Sequence, residues 1–540
     1  MLDFASAWED VADMVPERVA VIQGERRYSY REFEETAARF AAAIEAAGLP
    51  EGGKVALYLY NCPEYLIAQF GAFKHRAVPV NVNYRYLDHE LIYLLENSDA
   101  EVLVFHSSLS ECVERVRDQL THVRLFVEVD DCGSHLEGSR RFMDLVESHE
   151  PQARKSRSPE DLYMIYTGGT TGLPKGVMFP QGEFVEALLS AAMRLGYLTS
   201  TPTERAGLRD VVDAYSTFGP QVNIPCSPLM HGTGMWVGAM PMLISGGAVL
   251  LLESRSFDAD EVWRLTEREG VTLIAIVGDP FARPLLRALE ARESEGRPVD
   301  TSSVRYVYSS GAIWSSEIKD GLRWRLTAAL VDALGSTEGL SFGVSGASPN
   351  QGAPTAHFQL SPDTKVVSED GREVARGTGE RGILATRTSA FGYYKDPEKS
   401  ARTFFRSDGK GYVLTGDWAT VDEDGTITLL GRGSMSINSG GEKVFAEEVE
   451  EALKRHPLVD DCLVVGVPDE RFGQRVVAVI GSSASSAPTF EEICTFLRPS
   501  IAHYKVPKAV VLRERVQRAP NGKADYKWAL QTALESTSSG

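Results

Sequence analysis

The stretch "YTGGTTGLPKGV" (166–177) carries three glycines, three threonines and one lysine in its first ten residues. It follows the strand-like "DLYMIY" and runs into the apolar "KGVMF". Glycines let a main chain turn its N–H groups inward and form a nest for an anion. Threonine hydroxyls add donors, and Lys175 adds a fixed positive charge. An ammonium ~4 Å from a phosphate oxygen gains roughly 4 kcal/mol at an effective dielectric of about 20, before desolvation is deducted. A Walker P-loop needs Gly-Lys-Ser/Thr in succession, whereas Lys175 follows Pro174, so that motif is excluded. Taken alone, the stretch is either an anion cradle or a Gly/Thr-rich turn.

The surrounding chain sets the frame. At 540 residues it exceeds what one hydrophobic core supports, so at least two domains are expected. With 43% hydrophobic and 24% charged residues it has the composition of a soluble globular protein. The N-terminus has acids where a signal peptide would be basic, and no apolar run is long enough to span a bilayer. The most apolar region, "GMWVGAMPMLISGGAVLLL" (234–252), is broken by Pro241 and glycines and reads as buried core. Six scattered cysteines without metal-like pairing suit a reducing cytoplasm. A net charge of −19 argues against nucleic acid or an anionic membrane as partner. Any site for an anion must therefore be assembled locally.

The first half alternates helix and strand. Ser29-Tyr-Arg-Glu32 is a capping box, Phe33, Ala37, Phe40 and Ile44 recur at helical spacing, and Gly48 supplies the stop. "KVALYLY" (54–60), "VPVNVN" (78–83), "VTLIAIVG" (271–278) and "VRYVYSSGA" (304–312) are short apolar strands between helices, the pattern of parallel α/β layers. After about Pro349 the texture changes: "TKVVSED", "GILATRT" and "ATVDEDGTITLLG" alternate or turn on Asp-Gly, as antiparallel strands do. A final unit from Gly433 combines the helix "AEEVEEALKRH" with strands "CLVVGVPD" and "VVAVIG". Its loop "SSASSAP" and tail "STSSG" have the composition of flexible segments.

Four later segments decide the reading of the opening loop. They are "LGSTEG" (334–339), "YVLTGDWA" (412–419), "GRGSMSINSGGEKVFAEEVE" (431–450) and "RAPNGKADYK" (518–527). With the loop they resemble, in order, the motifs of the adenylate-forming superfamily of acyl-CoA synthetases, firefly-type luciferases and peptide-synthetase adenylation domains. The resemblance implies an α/β fold. A large N-terminal domain of two α/β subdomains plus a small distorted β-barrel (1–432) would bind ATP and the acid. A smaller mobile α+β domain (433–540) would act as an alternating lid, with its hinge near Ser434.

It also implies roles. Thr167, Gly168, Gly169, Thr170, Thr171, Gly172 and Lys175 would hold the β- and γ-phosphates of ATP. Gly311, Ala312, Leu334, Gly335 and Ser336 would line the nucleotide site. Thr337 would donate to the α-phosphate, and Glu338 would ligate Mg²⁺, a hard cation suited to oxygen. Asp417 would accept from the ribose hydroxyls, assisted by Arg432. Lys523 would bridge the acid and the α-phosphate during adenylation. His231 matches a histidine beside the carboxylate pocket, either chemical or structural. Trp236 lines an acyl tunnel or is plain core. Gly440 and Gly441 would leave room for pantetheine.

Three positions depart from the family pattern. Leu334 replaces an adenine-stacking tyrosine, which exchanges aromatic stacking for apolar packing. Ser434 stands at the hinge, and Asn438 replaces a frequent lysine. These put the details of domain rotation in question more than the activity.

No carrier-protein serine motif follows Lys523, so coenzyme A is the expected thiol. The long stretch between Glu183 and His231, together with the hinge segment, closely resembles bacterial ligases for steroid side-chain carboxylates. That makes a steroid acid the expected small-molecule partner, with a medium- or long-chain fatty acid as the alternative. An acyl-AMP ligase loading a carrier protein, a non-catalytic nucleotide binder and a luciferase-like oxygenase are the other classes. The oligomeric state stays open, a homodimer included.

Overall fold

The computed structural model describes residues 2–167, 174–194, 205–217, 219–312, 314–345, 356–407, 409–432, 436–439, 442–469, 473–483, 487–501, 503–519 and 522–537. They form a mixed α/β structure of two compact units. One comprises Met1–Ile276, Ala288–Tyr308 and Thr388–Gly411; the other comprises Val277–Arg287, Ser309–Arg387 and Tyr412–Gly540.

The first unit contains the parallel layers expected. Strands Val78–Asn81, Lys54–Tyr58, Ala100–His106, Leu125–Val129 and Arg140–Arg141 lie side by side in that order, each neighbour pair parallel. A second sheet sets Val19–Gln23, Ala248–Leu251, Val222–Pro225 and Leu273–Ile276 parallel, with Arg26–Ser29 antiparallel at its edge. Residues 248–252 are buried, as the apolar run required.

Helix Tyr30–Ala46 begins where the local signal placed it. The Ser29 hydroxyl accepts from the Glu32 N–H, and the Glu32 carboxylate accepts the Ser29 N–H at 2.8 Å. Helix Pro63–His75 starts on its proline and is buried along its whole length, so it carries no polar face.

Two findings go beyond the linear reading. The strands flanking the glycine-threonine loop, Leu162–Thr167 and Lys175–Pro180, are an antiparallel hairpin joined at its edge by Gly392–Tyr393. An antiparallel pair can be closed by a short loop, whereas a parallel one needs a crossover. The stretch between Glu183 and His231, to which the linear reading gave no secondary structure, contains regular elements where it is described. It forms helices Gln181–Arg194 and Arg205–Thr217 and the buried strand Val222–Pro225. Leu208, Val211, Val212 and Tyr215 bury one face of the second helix.

In the second unit the antiparallel texture is present. Strands Thr364–Val367, Arg381–Arg387, Lys410–Val421, Ile427–Arg432, His357–Leu360, Leu340–Ser345 and Ala329–Ser336 pair in that order. The turn at Asp424-Gly425 uses a glycine with φ +86. Leu334, Phe342, Phe358, Val366, Val374, Leu384, Ala419 and Ile427 share one core. Because that core draws on the first and last strands of the series, the sheet curls on itself as a distorted barrel does.

The C-terminal residues form a smaller α+β domain. Alternate residues of strands Asp461–Asp469 and Gly473–Gly481 enter opposite cores. Cys462, Val464, Val476, Ala478 and Ile480 pack with helices Ala446–Lys454 and Phe490–Leu497. Leu463, Val465, Val467, Val477 and Val479 pack with Ala529 and Ala533 of helix Tyr526–Thr537. That last helix includes the first two residues of the serine-rich tail.

A buried charge cluster ties three helices of the first unit. Lys74, 1% exposed, donates to Glu9 at 2.6 Å and to Glu34 at 2.5 Å, while Arg157 clasps Glu9 and the Trp8 indole donates to Glu34. Burial works against both carboxylates. At Glu9 the Lys74 and Arg157 charges outweigh it and lower the pKa; at Glu34 burial prevails and raises it. Lys74→Met would leave Glu34 without its cation and Glu9 to Arg157, and we expect a loss of about 3–5 kcal/mol, read as a lowered midpoint of chemical unfolding.

Candidate functional site

Within the first unit the hairpin register puts Thr167 directly opposite Lys175, so the loop closes on a ladder pair. Gly168, Gly169, Thr170, Thr171, Gly172, Ser434, Gly440 and Gly441 lie outside the described residues. The Lys175 ammonium is 2.8 Å from Asp396, whose side chain also accepts the Lys399 N–H at the start of helix Pro397–Thr403. Burial works against the Lys175 charge, but Asp396 outweighs it and raises the pKa. The bond from Lys175 and the Lys399 N–H hold the Asp396 carboxyl below its usual range. Lys175 and Lys399 both approach the Tyr393 ring, at 5.7 and 5.3 Å. The cation is thus held ready beside the hairpin.

Asn81, at the carboxyl end of a parallel strand, links this hairpin to the histidine segment. Its side-chain oxygen accepts the Tyr166 N–H at 2.7 Å, and its amide donates to the Tyr166 carbonyl at 2.8 Å and the Met230 carbonyl at 2.7 Å. One carboxamide therefore fixes the last residues before the loop and the residue before His231. The carboxyl ends of parallel strands are where open α/β sheets place ligands. Neither Asn81 nor Asp396 emerged from the motif reading. The available signals were an asparagine ending an apolar strand and the helix start "DPEKS".

His231 opens a tight turn, its N–H donating to Pro228 at 3.1 Å and its carbonyl accepting from Met235 at 2.9 Å. The following residues, Thr233–Ala239, form a π-helix, a widened geometry that concentrates at functional sites. Gly234 has no room for a side chain, since a Cβ would lie 2.2 Å from the Pro228 carbonyl. Trp236 uses this geometry to donate to the Tyr163 hydroxyl at 2.8 Å and to pack edge-on against Phe179 and Phe184. Burial raises the Tyr163 pKa and keeps the phenol neutral. Trp236 is half-buried, so it joins an aromatic core and still offers a face.

In the second unit Thr337, Glu338 and Gly339 form the tip of a hairpin closed by Ser336 opposite Leu340. The Ser336 hydroxyl accepts the Gly339 N–H at 3.0 Å. A Cβ on Gly335 would lie 2.4 Å from the Leu340 carbonyl, and Leu340 itself adopts φ +56, strained for a branched residue. Thr337 and Glu338 are half-buried. Leu334 is buried in the barrel core, so its apolar packing is largely inward. Gly311 follows strand Tyr306–Ser310 with φ +100, with Ala312 next to it. Asp417 is buried and shares a ladder position with Arg432. Lys523 is exposed on a turn whose Ala519 N–H donates to the Lys523 carbonyl at 2.9 Å. Among the described residues no cluster of three or more histidines, cysteines or acids forms a metal cage.

The family model "AMP-binding enzyme" matches residues 8–394, and "AMP-binding enzyme C-terminal domain" matches residues 448–523. The chain is 40% identical to the medium/long-chain-fatty-acid–CoA/3-oxocholest-4-en-26-oate–CoA ligase of Mycolicibacterium smegmatis, over 99% of this chain and 97% of the relative. It is 39% identical to the 3-oxocholest-4-en-26-oate–CoA ligase of Rhodococcus rhodochrous, over 99% and 96%. Among solved structures it resembles ATP-bound MatB from Rhodopseudomonas palustris, with TM-score 0.82, 22% identity and coverage of 98% and 99%. It resembles the anthranilate CoA ligase AuaEII in complex with anthranoyl-AMP equally well, with TM-score 0.82, 22% identity and coverage of 99% and 98%. The chain belongs to the AMP-binding enzyme family, and the two relatives named above are CoA ligases that match it over nearly its full length.

Proposed function

We propose that this protein is an ATP-dependent ligase that converts a hydrophobic carboxylic acid, preferentially a steroid side-chain carboxylate, through its acyl-AMP to the coenzyme A thioester. The observation that carries this reading is the full-length match to CoA ligases by a chain whose phosphate hairpin, Thr337–Glu338 turn and Lys523 occur in the family's order. A medium- or long-chain fatty acid is the second reading, favoured by the name of the first relative, which includes both acids.

The chemistry proceeds in two displacements. A carboxylate oxygen attacks the α-phosphorus of ATP, the bond to the β-phosphate oxygen breaks, and pyrophosphate leaves. The coenzyme A sulfur then attacks the acyl carbon, and AMP leaves as the thioester forms. Positioning and charge neutralisation supply most of the acceleration for such transfers. Lys175, ready on the hairpin, would exchange Asp396 for terminal phosphate oxygens. Thr337 would donate to the α-phosphate, and Asp417 would accept from the ribose. Lys523 would meet the charge developing between acid and α-phosphate. Mg²⁺ would neutralise phosphate oxygens. Glu338 would hold that cation through its carboxylate, an oxygen ligand suited to a hard ion.

We further assign 1–432 to ATP and acid binding and 433–540 to an alternating lid hinged at Ser434; separate family models for 8–394 and 448–523 support that division. Among the described residues no helix is long and apolar enough to cross a membrane. The six cysteines are free thiols, five of them buried, which supports a reducing cytoplasm.

Lys523→Ala should abolish acid-dependent ATP–pyrophosphate exchange and spare thioester formation from supplied acyl-AMP; equal loss of both half-reactions would refute the alternation. Lys175→Ala should lower kcat/KM for ATP roughly 10- to 100-fold, the value of one charge-assisted hydrogen bond, with KM for the acid little changed in steady-state assays. A coenzyme A ligation panel of steroid side-chain acids against fatty acids should favour the steroids. Turnover of fatty acids alone would rule that preference out.

A further inference from the structure

The turn that carries Lys523 is held by a buried charge network that the proposed chemistry does not use. Arg513 and Arg515, just before it in sequence, are exposed, whereas the Arg518 side chain is 12% exposed. Its guanidinium forms a fork on Asp461, with Nε donating to Oδ2 and Nη2 donating to Oδ1 at 2.7 Å. The remaining nitrogen, Nη1, donates to the Gly522 carbonyl at 3.0 Å, one residue before Lys523.

Asp461 is anchored in turn. It opens strand Asp461–Asp469, caps the Cys462 N–H at 2.9 Å, and lies 3.5 Å from the ammonium of Lys454 on helix Ala446–Lys454. Burial works against its charge, but Lys454 and Arg518 outweigh it and keep it ionised. Arg518 also bridges to Ala524 across the turn. On the other side of the turn Gly522 adopts φ +74, and a Cβ there would lie 2.9 Å from the Phe281 ring. The backbone at Gly522 is thus fixed from two sides, while Lys523 itself is exposed.

We propose that Arg518, clamped by Asp461, is a positioning residue that sets the backbone height of Lys523 for the adenylation step. This rests on the assignment of Lys523 to adenylation. A lysine has four rotatable bonds beyond its Cα, so its ammonium can be placed accurately only when the main chain beneath it does not shift. A displacement of about 1 Å at a reacting group costs on the order of 100-fold in rate. A planar fork that satisfies a carboxylate with two donors and a backbone carbonyl with another provides such rigidity. A lysine at 518 would keep the charge and lose the fork.

The test uses the full-length protein and two assays: acid-dependent ATP–pyrophosphate exchange, and thioester formation from supplied acyl-AMP and coenzyme A. Arg518→Lys should lower kcat for exchange roughly 10- to 100-fold. KM for ATP and acid should stay within about twofold, and thioester formation from acyl-AMP should be retained. Asp461→Asn, which leaves Arg518 in place without its clamp, should produce the same split and serves where Arg518→Lys folds poorly. In the Lys523→Ala background, Arg518→Lys should add no further loss of exchange. Unchanged exchange in both single variants, or parallel loss of both half-reactions, would overturn the proposal. If Lys523→Ala alone leaves exchange intact, the assignment of Lys523 falls and this proposal falls with it. If Lys523→Ala abolishes exchange while Arg518→Lys matches the unmodified protein, only the positioning role falls.

Discussion

The Asn81 carboxamide accepts one N–H and donates to two carbonyls, and through these bonds the hairpin bearing Lys175 and the segment bearing His231 share one reference point. The hairpin strands carry their own ladder, which ends at Thr167 opposite Lys175, whereas the turn at Pro228–His231 lies outside any strand. A buried or half-buried loop therefore needs a polar group from a rigid element to satisfy and orient its main chain. The end of a parallel strand is well suited, because its ladder to Lys54–Tyr58 sets its direction. The π-helix at Thr233–Ala239, which carries Trp236, begins three residues after the Met230 carbonyl that Asn81 holds.

A second constraint is charge. In an acidic chain with a net charge of −19, long-range attraction for anions is small and each cation takes its setting from its local partners. In each case described the setting has the same form: a cation is held by an acid distant in sequence. Lys175 rests on Asp396, Arg518 on Asp461, and Lys74 on Glu9 and Glu34. The half-exposed Lys175 pair is open to exchange with a stronger anion. The buried Lys74 cluster is not, because separating it would leave bare charge among apolar helices.

What the linear sequence disclosed depended on distance along the chain. The capping box at Ser29 and Glu32 spans three residues and was legible, as were the Asp-Gly turn at 424–425 and the apolar strands. The loop at 166–177 was legible as a motif. The hairpin around it was not, because "YMIY" and "VMFP" are continuous apolar runs that read equally well as parallel or antiparallel strands. Partners separated by 85, 149, 221 and 57 residues, as at Asn81 with Tyr166, Asn81 with Met230, Lys175 with Asp396, and Arg518 with Asp461, leave no periodic trace. Leu334 illustrates the remaining gap: its substitution was visible, but its inward placement in the barrel core follows from a fold-level curl that no local pattern encodes.

The widened helix at Thr233–Ala239 carries one more lesson. An α-helix rotates roughly 100° per residue, and a π-turn takes up one extra residue within a turn, so the surface this segment presents has a phase as well as a composition. A single insertion or deletion upstream of Trp236 would rotate every later side chain of the segment together. Such an indel would reshape the surroundings of Trp236 with no exchange of one side chain for a larger or smaller one.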